Sequence, residues 1–287
     1  MVRHIARLSA RTPFNGAALM AFLGARAVPG VEEVTAGGYR RSLALAHAPA
    51  VIDLVARADG VEATLALGDA RDLDAATEAC RRLLDLDRDP APIAAHLGSD
   101  PVIGALVRAA PGRRVPGHPD GGELAVRAVL GQQVSVKAAT RLAARLVADI
   151  GIPLVRPVGA VTHLFPPAQA IAALDPESLP MPRRRGRTLV VLAAELAAGR
   201  LVLDDTAERS GAVAALRALP GIGPWTAGYI AMRALRDPDA FTPGDAGVRH
   251  GLNRLGVDPS PREMERVSGP WRPYRAYAVQ HLWARAA

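Results

Sequence analysis

The chain has 287 residues, is 49% hydrophobic and carries a formal net charge of +7. That is enough apolar sequence for one large domain or two to three small ones, and too much for global disorder. With no apolar run near the roughly 20 residues that cross a bilayer, no secretory h-region after Met1-Val2-Arg3-His4-Ile5 and Cys80 as the single cysteine, membrane spans, disulfide frameworks and Cys-based zinc or iron–sulfur sites drop out, and a soluble cytoplasmic protein is expected.

The charge is unevenly spread. Residues 1–110 hold 12 Lys and Arg against 13 Asp and Glu, whereas residues 111–287 hold 23 against 15. A basic second part points to a polyanion, most often nucleic acid. The competing account is compositional, since Lys137 is the only lysine and Arg supplies every other side-chain cation.

In chain order, Phe14 to Ala27 is apolar at helical spacing, with Leu19, Phe22 and Leu23 on one face. Tyr39 to His47 alternates, with Leu43 and Leu45 pointing one way and Arg41 expected at the surface. Ala50 to Ala58 and Val61 to Leu67 alternate around Asp59-Gly60, a hairpin signal. Asp72 to Leu86 reads as a helix with Leu73, Ala76, Cys80, Leu83 and Leu84 inward. Residues 1–90 thus form a small domain of antiparallel sheet and helices.

Asp87 to Pro92 is expected to be a domain boundary, and Pro111 to Gly122 a surface loop or a domain crossing. Beyond residue 90 the chain reads as helical: Glu123 to Leu130, Ser135 to Ile150 with Ser135 as N-cap, Ala168 to Leu174, Arg187 to Ala198, Gly211 to Leu219, Pro224 to Arg236, Ala246 to Leu255 and Arg272 to Ala286. Arg183-Arg184-Arg185 reads as a solvated turn, and His250 and His281 as structural or surface groups.

Leu219-Pro220-Gly221-Ile222-Gly223-Pro224-Trp225-Thr226-Ala227 forms a glycine-rich hairpin between two of these helices. Gly221 and Gly223 permit close backbone approach to a ligand, and Pro224 suits the first helical position. The amides that follow open a helix N-terminus, which attracts phosphate. A tight ligand-free turn is the plain alternative. The backbone carbonyls of Arg217, Leu219 and Gly221 are a possible site for Na+ or K+. One helix later, Phe241-Thr242-Pro243-Gly244-Asp245 ends on a carboxylate that is either an ordinary N-cap or a reactive group beside a pocket. Of 11 aromatic residues, seven fall between Trp225 and Trp283. Trp225 and Tyr229 share a helix face at i, i+4, and the concentration suggests a stacking pocket for a planar group.

The hairpin and Pro243-Gly244-Asp245 resemble the helix-hairpin-helix DNA glycosylase superfamily, and within it the bacterial DNA-3-methyladenine glycosylase II type. The likeness extends to Phe22-Leu23-Gly24-Ala25-Arg26-Ala27-Val28, Arg40-Arg41-Ser42-Leu43-Ala44, Arg127 through Val136, Trp271-Arg272-Pro273-Tyr274-Arg275 and His281-Leu282-Trp283. It implies an α+β chain: a TATA-binding-protein-like antiparallel sheet domain (1–90), then two helical domains, 91–113 plus 238–287, and 114–237 with the helix-hairpin-helix at 212–236. It implies Asp245 as the catalytic residue, Trp225, Tyr229, Trp283 and Phe22 as base-pocket residues, and Gln133, Gly221, Gly223, Pro224 and Thr226 as DNA-binding residues. Gln133 stands where glycosylase II wedges a Leu into the duplex. Gly244 stands where the best-known relative has an acid.

The implied activity is a monofunctional DNA glycosylase that flips out alkylated bases of the 3-methyladenine and 7-methylguanine type and releases them hydrolytically. Asp245 would stabilise an oxocarbenium-like sugar and direct water. The faces of Trp225, Tyr229 and Trp283 would bind a cationic base at about 0.5–2 kcal/mol each. Bifunctional relatives place a Schiff-base lysine in the hairpin segment, which here carries Trp225, so no lyase activity is expected. Expected further are no required cofactor, double-stranded DNA as partner, a monomer near the nucleoid, and a methyl-acceptor domain that can precede this one in a longer protein. Oxidised or deaminated purines as substrates, or a non-catalytic damage-binding module, are the alternatives.

Overall fold

The computed structural model describes residues 1–204 and 206–286. The N-terminal part is a five-stranded antiparallel sheet of β1 (Val2–Ser9), β2 (Glu32–Thr35), β3 (Gly38–Leu43), β4 (Ala50–Arg57) and β5 (Gly60–Leu67), in the order β1-β5-β4-β3-β2. Helices α1 (Gly16–Gly24) and α2 (Leu73–Leu84) cover it. Ile52, Leu54, Ala63 and Leu65 pack with Leu19, Leu23, Cys80 and Leu83 into one core. The β4–β5 turn is Ala58-Asp59, because Gly60 already pairs with Arg57. A Cβ at Gly60 would lie 2.1 Å from the Leu8 carbonyl, so the glycine lets β1 pair closely with β5.

The remaining helices are α3 (Pro90–Gly98), α4 (Gly104–Ala109), α5 (Gly121–Leu130) and α6 (Val136–Ile150), then a hairpin of β6 (Ile152–Val158) and β7 (Val161–Leu164). After it come α7 (Ala168–Ala172), α8 (Arg183–Ala197), α9 (Arg209–Ala218), α10 (Pro224–Arg233), α11 (Ala246–Asn253), α12 (Pro261–Ser268) and α13 (Arg275–Ala286). Their apolar core is continuous, reaching from Leu97 and Ile103 through Val129 and Ile230 to Trp271 and Leu282.

Several expectations change. Pro90 and Pro92 do not sit in a loop: Asp89 caps α3, accepting from the Ala91 amide at 2.9 Å, and both prolines lie in the first turn, where a missing N–H costs nothing. Arg183-Arg184-Arg185 opens α8 rather than forming a turn, so that helix starts four residues before Arg187. The Pro111 to Gly122 stretch is a crossing rather than a surface loop, since Arg114 to His118 are buried. Its carbonyls are met by Arg233, whose Nε donates to Pro116 O at 2.8 Å and Nη2 to Gly117 O at 2.9 Å. Arg114 in turn donates to the Arg88 and Arg11 carbonyls. Helices α3 and α4, strands β1 and β2 and the β6–β7 hairpin carry no clear period in the sequence, and the short amphipathic helix α12, with Met264 and Val267 buried, lies between the expected helices.

Arg41 is 2% exposed, not at the surface. It donates to Glu123 at 2.7 Å and pairs with Glu32 at 3.3 Å, while Arg127 reaches Glu32 at 3.0 Å and Glu123 at 2.9 Å. Burial would raise both carboxyls, but Arg41 and Arg127 hold them below the ordinary carboxylate range, and His118 helps at Glu123. Burial pushes the His118 imidazole down, toward its neutral form. Glu32, His118 and Glu123 offer donor atoms within 4.8 Å of one another, as a metal site would. Two guanidiniums already neutralise the two carboxylates, so no charge is left to attract a cation. The cluster ties β2 and β3 to α5.

His281 is buried in α13, and burial, with the charge of Arg113, lowers its pKa to about 4. The folded value lies below the unfolded value of about 6.5. The resulting stability is present above pH 6.5 and is lost as pH falls from there through 4, up to about 3 kcal/mol. Urea unfolding of His281→Gln should therefore lose less stability than the native protein between pH 7 and pH 4. Parallel losses would contradict this.

Candidate active site

Asp245 caps α11, and its fold position follows from its neighbours. Gly244 adopts φ +75°, a left-handed conformation that glycine takes without strain, and the Asp245 amide closes the turn on Thr242 O at 3.1 Å. The carboxylate, 8% exposed at the residue level, then accepts three hydrogen bonds. The Val248 amide donates to Oδ1 at 2.9 Å, the Trp283 indole to Oδ1 at 2.8 Å, and the Trp225 indole to Oδ2 at 2.7 Å. N-cap and site are therefore the same residue. A carboxylate has about four lone-pair positions; three are filled, and among the described residues one on Oδ2 stays open.

The indoles reach the carboxylate from two helices, Trp225 from α10 and Trp283 from α13. Trp225 stacks on Tyr229 with centroids 5.6 Å apart and planes at 13°, and Tyr229 lies 6.2 Å from Trp283. Trp283 lies 6.0 Å from Phe22 of α1, nearly parallel. The four expected pocket aromatics thus meet, although they come from residues 22 to 283. Gly247 makes the approach possible: a Cβ there would sit 2.7 Å from Trp283 Cδ1. Gly247→Ala should push the indole off Asp245 and reduce any reaction at this carboxylate about tenfold or more, the scale of one lost preorganised donor. Unchanged single-turnover rates in this variant would contradict that.

Asp245, Trp225, Tyr229 and Trp283 line a cleft of about 1150 Å³, together with Gln133, Gly221, Gly223, Arg184 and Arg185. Burial would raise the Tyr229 phenol, but the guanidiniums of Arg233 and Arg26 bring it below its usual value. Arg233 Nη1 donates to Tyr229 Oη at 2.8 Å. Arg26, Arg127, Arg233 and Gly247 all line the cleft, and no local pattern marked them. The one available signal was charge inside otherwise apolar helical runs.

The hairpin joins α9 to α10. Gly221 has φ +85°, and a Cβ there would sit 2.0 Å from Thr188 Oγ1. Gly223 caps α10 with nothing within 4 Å of its Cβ position, and Pro224 is the first helical residue. An exposed backbone thus faces solvent at a helix N-terminus. Thr226 is buried instead, and its Oγ1 accepts from Gln132 Nε2 at 3.0 Å, so only its backbone is available to a phosphate. Gln132 also donates to Gly221 O at 3.0 Å, which fixes the α5–α6 loop against the hairpin. Gln133, exposed at that loop's tip with φ +58°, lies on the cleft wall. Of the three carbonyls considered for a cation, Leu219 O accepts from the Ile222 amide and Gly221 O from Gln132. The other aromatics of the cluster lie elsewhere: Trp271 is buried in the core and Tyr277 donates to Asp85 at 2.6 Å.

Residues 5–120 match the family described as AlkA N-terminal domain, and residues 126–273 match that described as HhH-GPD superfamily base excision DNA repair protein. The chain belongs to the HhH-GPD superfamily. This HhH-GPD protein is 34% identical over 283 residues to DNA-3-methyladenine glycosylase 2 of Escherichia coli, covering 96% of this chain and 95% of that one. It is 49% identical over 277 residues to a Mycobacterium tuberculosis protein named probable bifunctional transcriptional activator/DNA repair enzyme AlkA. That match covers 96% of this chain and 56% of the relative, so the chain spans little more than half of the relative's length. The HhH-GPD fold superposes on a 3-methyladenine DNA-glycosylase from Archaeoglobus fulgidus with a TM-score of 0.83 at 22% identity, covering 99% and 97% of the two chains. It superposes on MBOgg1 in complex with a low affinity DNA ligand with a TM-score of 0.76 at 18% identity, covering 100% and 96%.

Proposed function

We propose that this chain is a monofunctional DNA glycosylase that flips alkylated bases, of the 3-methyladenine and 7-methylguanine type, out of duplex DNA and releases them by hydrolysis. The observation that carries the reading is Asp245: a carboxylate fixed by two indole N–H groups and an amide, inside an aromatic cleft. Breaking the glycosidic bond makes C1′ electron-poor. A preorganised carboxylate stabilises that charge without reorganising. The open position on Oδ2 holds the attacking water, whose oxygen adds to C1′ while the bond electrons leave with the base and the proton the water loses passes to the Asp245 carboxylate and on to solvent. A base already cationic through alkylation leaves as a neutral molecule and needs no strong general acid.

Flipping costs a few kcal/mol. The Gly223 helix end, the cleft arginines Arg184 and Arg185 and the exposed Gln133 would offset that cost on the backbone and in the vacated stack. A monovalent cation held by Arg217, Leu219 and Gly221 carbonyls belongs to the same proposal, each carbonyl having a second lone pair; the E. coli and M. tuberculosis relatives support DNA repair as the context. For the absence of lyase chemistry, the support is that Lys137 is exposed in the first turn of α6 and is not among the cleft's lining residues. Borohydride added during turnover on methylated DNA should therefore trap no covalent complex; a trapped complex would contradict the hydrolytic reading.

A further inference from the structure

Arg26 occupies the face that an aromatic ring was expected to present. Its guanidinium carbon lies 3.8 Å from the Phe22 centroid, and Arg26 lines the cleft while Phe22 does not. Among the described residues no carboxylate pairs with it. Its one hydrogen bond among the described residues is a long 3.4 Å contact to Phe22 O, and the Tyr229 phenol lies near enough to favour its charge. A guanidinium carries five N–H groups, so most of them have no protein acceptor among the described residues. Arg233, on the same wall, differs: its three nitrogens are used by Pro116 O, Gly117 O and Tyr229. Arg127 differs too, with Glu32, Glu123 and Arg26 O as acceptors. Burial lowers the Arg26 pKa, and the nearby Arg233 and Arg127 charges act in the same direction. A largely buried cation without a counterion among the described residues is costly, and such a group in a cleft is a candidate site residue.

We infer that Arg26 is a specificity-determining residue that favours neutral purines with adjacent carbonyl and ring-nitrogen acceptors over cationic alkylpurines. The inference rests on the glycosylase reading above. The chemistry separates the two classes of base. When C1′–N9 breaks, its electron pair goes to the base. A neutral 6-oxopurine leaves as an anion, while a 7-alkylguanine cation leaves neutral. In both cases the water oxygen bonds to C1′; with the neutral purine, the proton that water loses ends on the departed base. Arg26 donates to O6 and N7, the pair of acceptors a guanidinium matches, and meets the charge that develops on them. For a cationic base the same group is a like charge.

The test is single-turnover release from two duplexes that differ only in the target, 7-methylguanine or hypoxanthine, by the native protein, Arg26→Gln and Arg26→Lys. Arg26→Gln should lower hypoxanthine release about tenfold or more, the scale of a charge-assisted hydrogen bond. Release of 7-methylguanine should hold or rise. Arg26→Lys keeps the cation and should stay nearer the native ratio, which also serves if the Gln variant folds poorly. An equal loss on both substrates in both variants would overturn the inference and make Arg26 structural. A native protein that releases 7-methylguanine but no hypoxanthine would overturn the inference alone. One that releases neither base would overturn the glycosylase reading and the inference with it.

Discussion

Arg41→Leu should cost the protein about 3–5 kcal/mol of folding stability, the usual penalty for removing one partner of a buried ion pair. Glu32 and Glu123 would then share the one guanidinium of Arg127, with His118 beside Glu123, in a site from which water is excluded. The loss is expected to spread beyond the cluster. Arg127 also holds the Arg26 carbonyl at 2.6 Å, so the end of α1 is anchored by the same charges. Urea unfolding measures the effect directly. Adding Glu123→Gln to Arg41→Leu should recover part of the loss, because one uncompensated carboxylate is gone. A single-variant loss below about 1 kcal/mol, the range of an exposed pair, would contradict the account of this cluster.

Asp245→Asn should lower base release by about 10²–10³-fold or more, the scale found when a preorganised electrostatic group is removed. The fold should survive, since Asn caps a helix about as well as Asp. The amide keeps one acceptor oxygen but turns an NH2 group toward an indole that also donates. One Trp must therefore lose its partner, and the charge that meets the sugar is gone. Binding to abasic-site DNA should persist, because the hairpin and the cleft arginines are untouched. Equal loss of binding and release would shift the explanation from chemistry to folding. Native-level release would reduce Asp245 to a helix cap.

Asp245 was legible because two local signals coincide on it: a Pro-Gly turn before a helical run, and the hairpin one helix upstream. The hairpin itself is a local motif, fixed by glycine and proline conformations. Trp283 and Phe22 were placed by resemblance alone, since nothing in their neighbourhoods states that α13 and α1 converge on α11. Arg41 was misjudged for a related reason. Alternation in β3 tells which residues share a face, but not that α5 covers that face with Glu123 and Arg127. A buried Arg looks like a surface Arg until its partners, 9 and 82 residues away, are known. Arg26 is hidden in the same way, since nothing local states that its guanidinium covers the Phe22 ring and lines the cleft. Pro92 lies inside the first turn of α3, which Asp89 and Pro90 start. Strand β1 lacks a period because its residues are mostly exposed, and only its pairing with β5 defines it.

Hydrolytic release of alkylated bases at the Asp245 cleft is the proposal on which the other predictions of base release rest. Its most direct test is incubation of the native protein with DNA methylated at purine N3 and N7, followed by chromatography of the released material and inspection of the strand. Free 3-methyladenine and 7-methylguanine are expected, with abasic strands that stay uncut until treated with alkali. Released nucleotides, strands cut without alkali, or no release at protein in excess over lesions would contradict it.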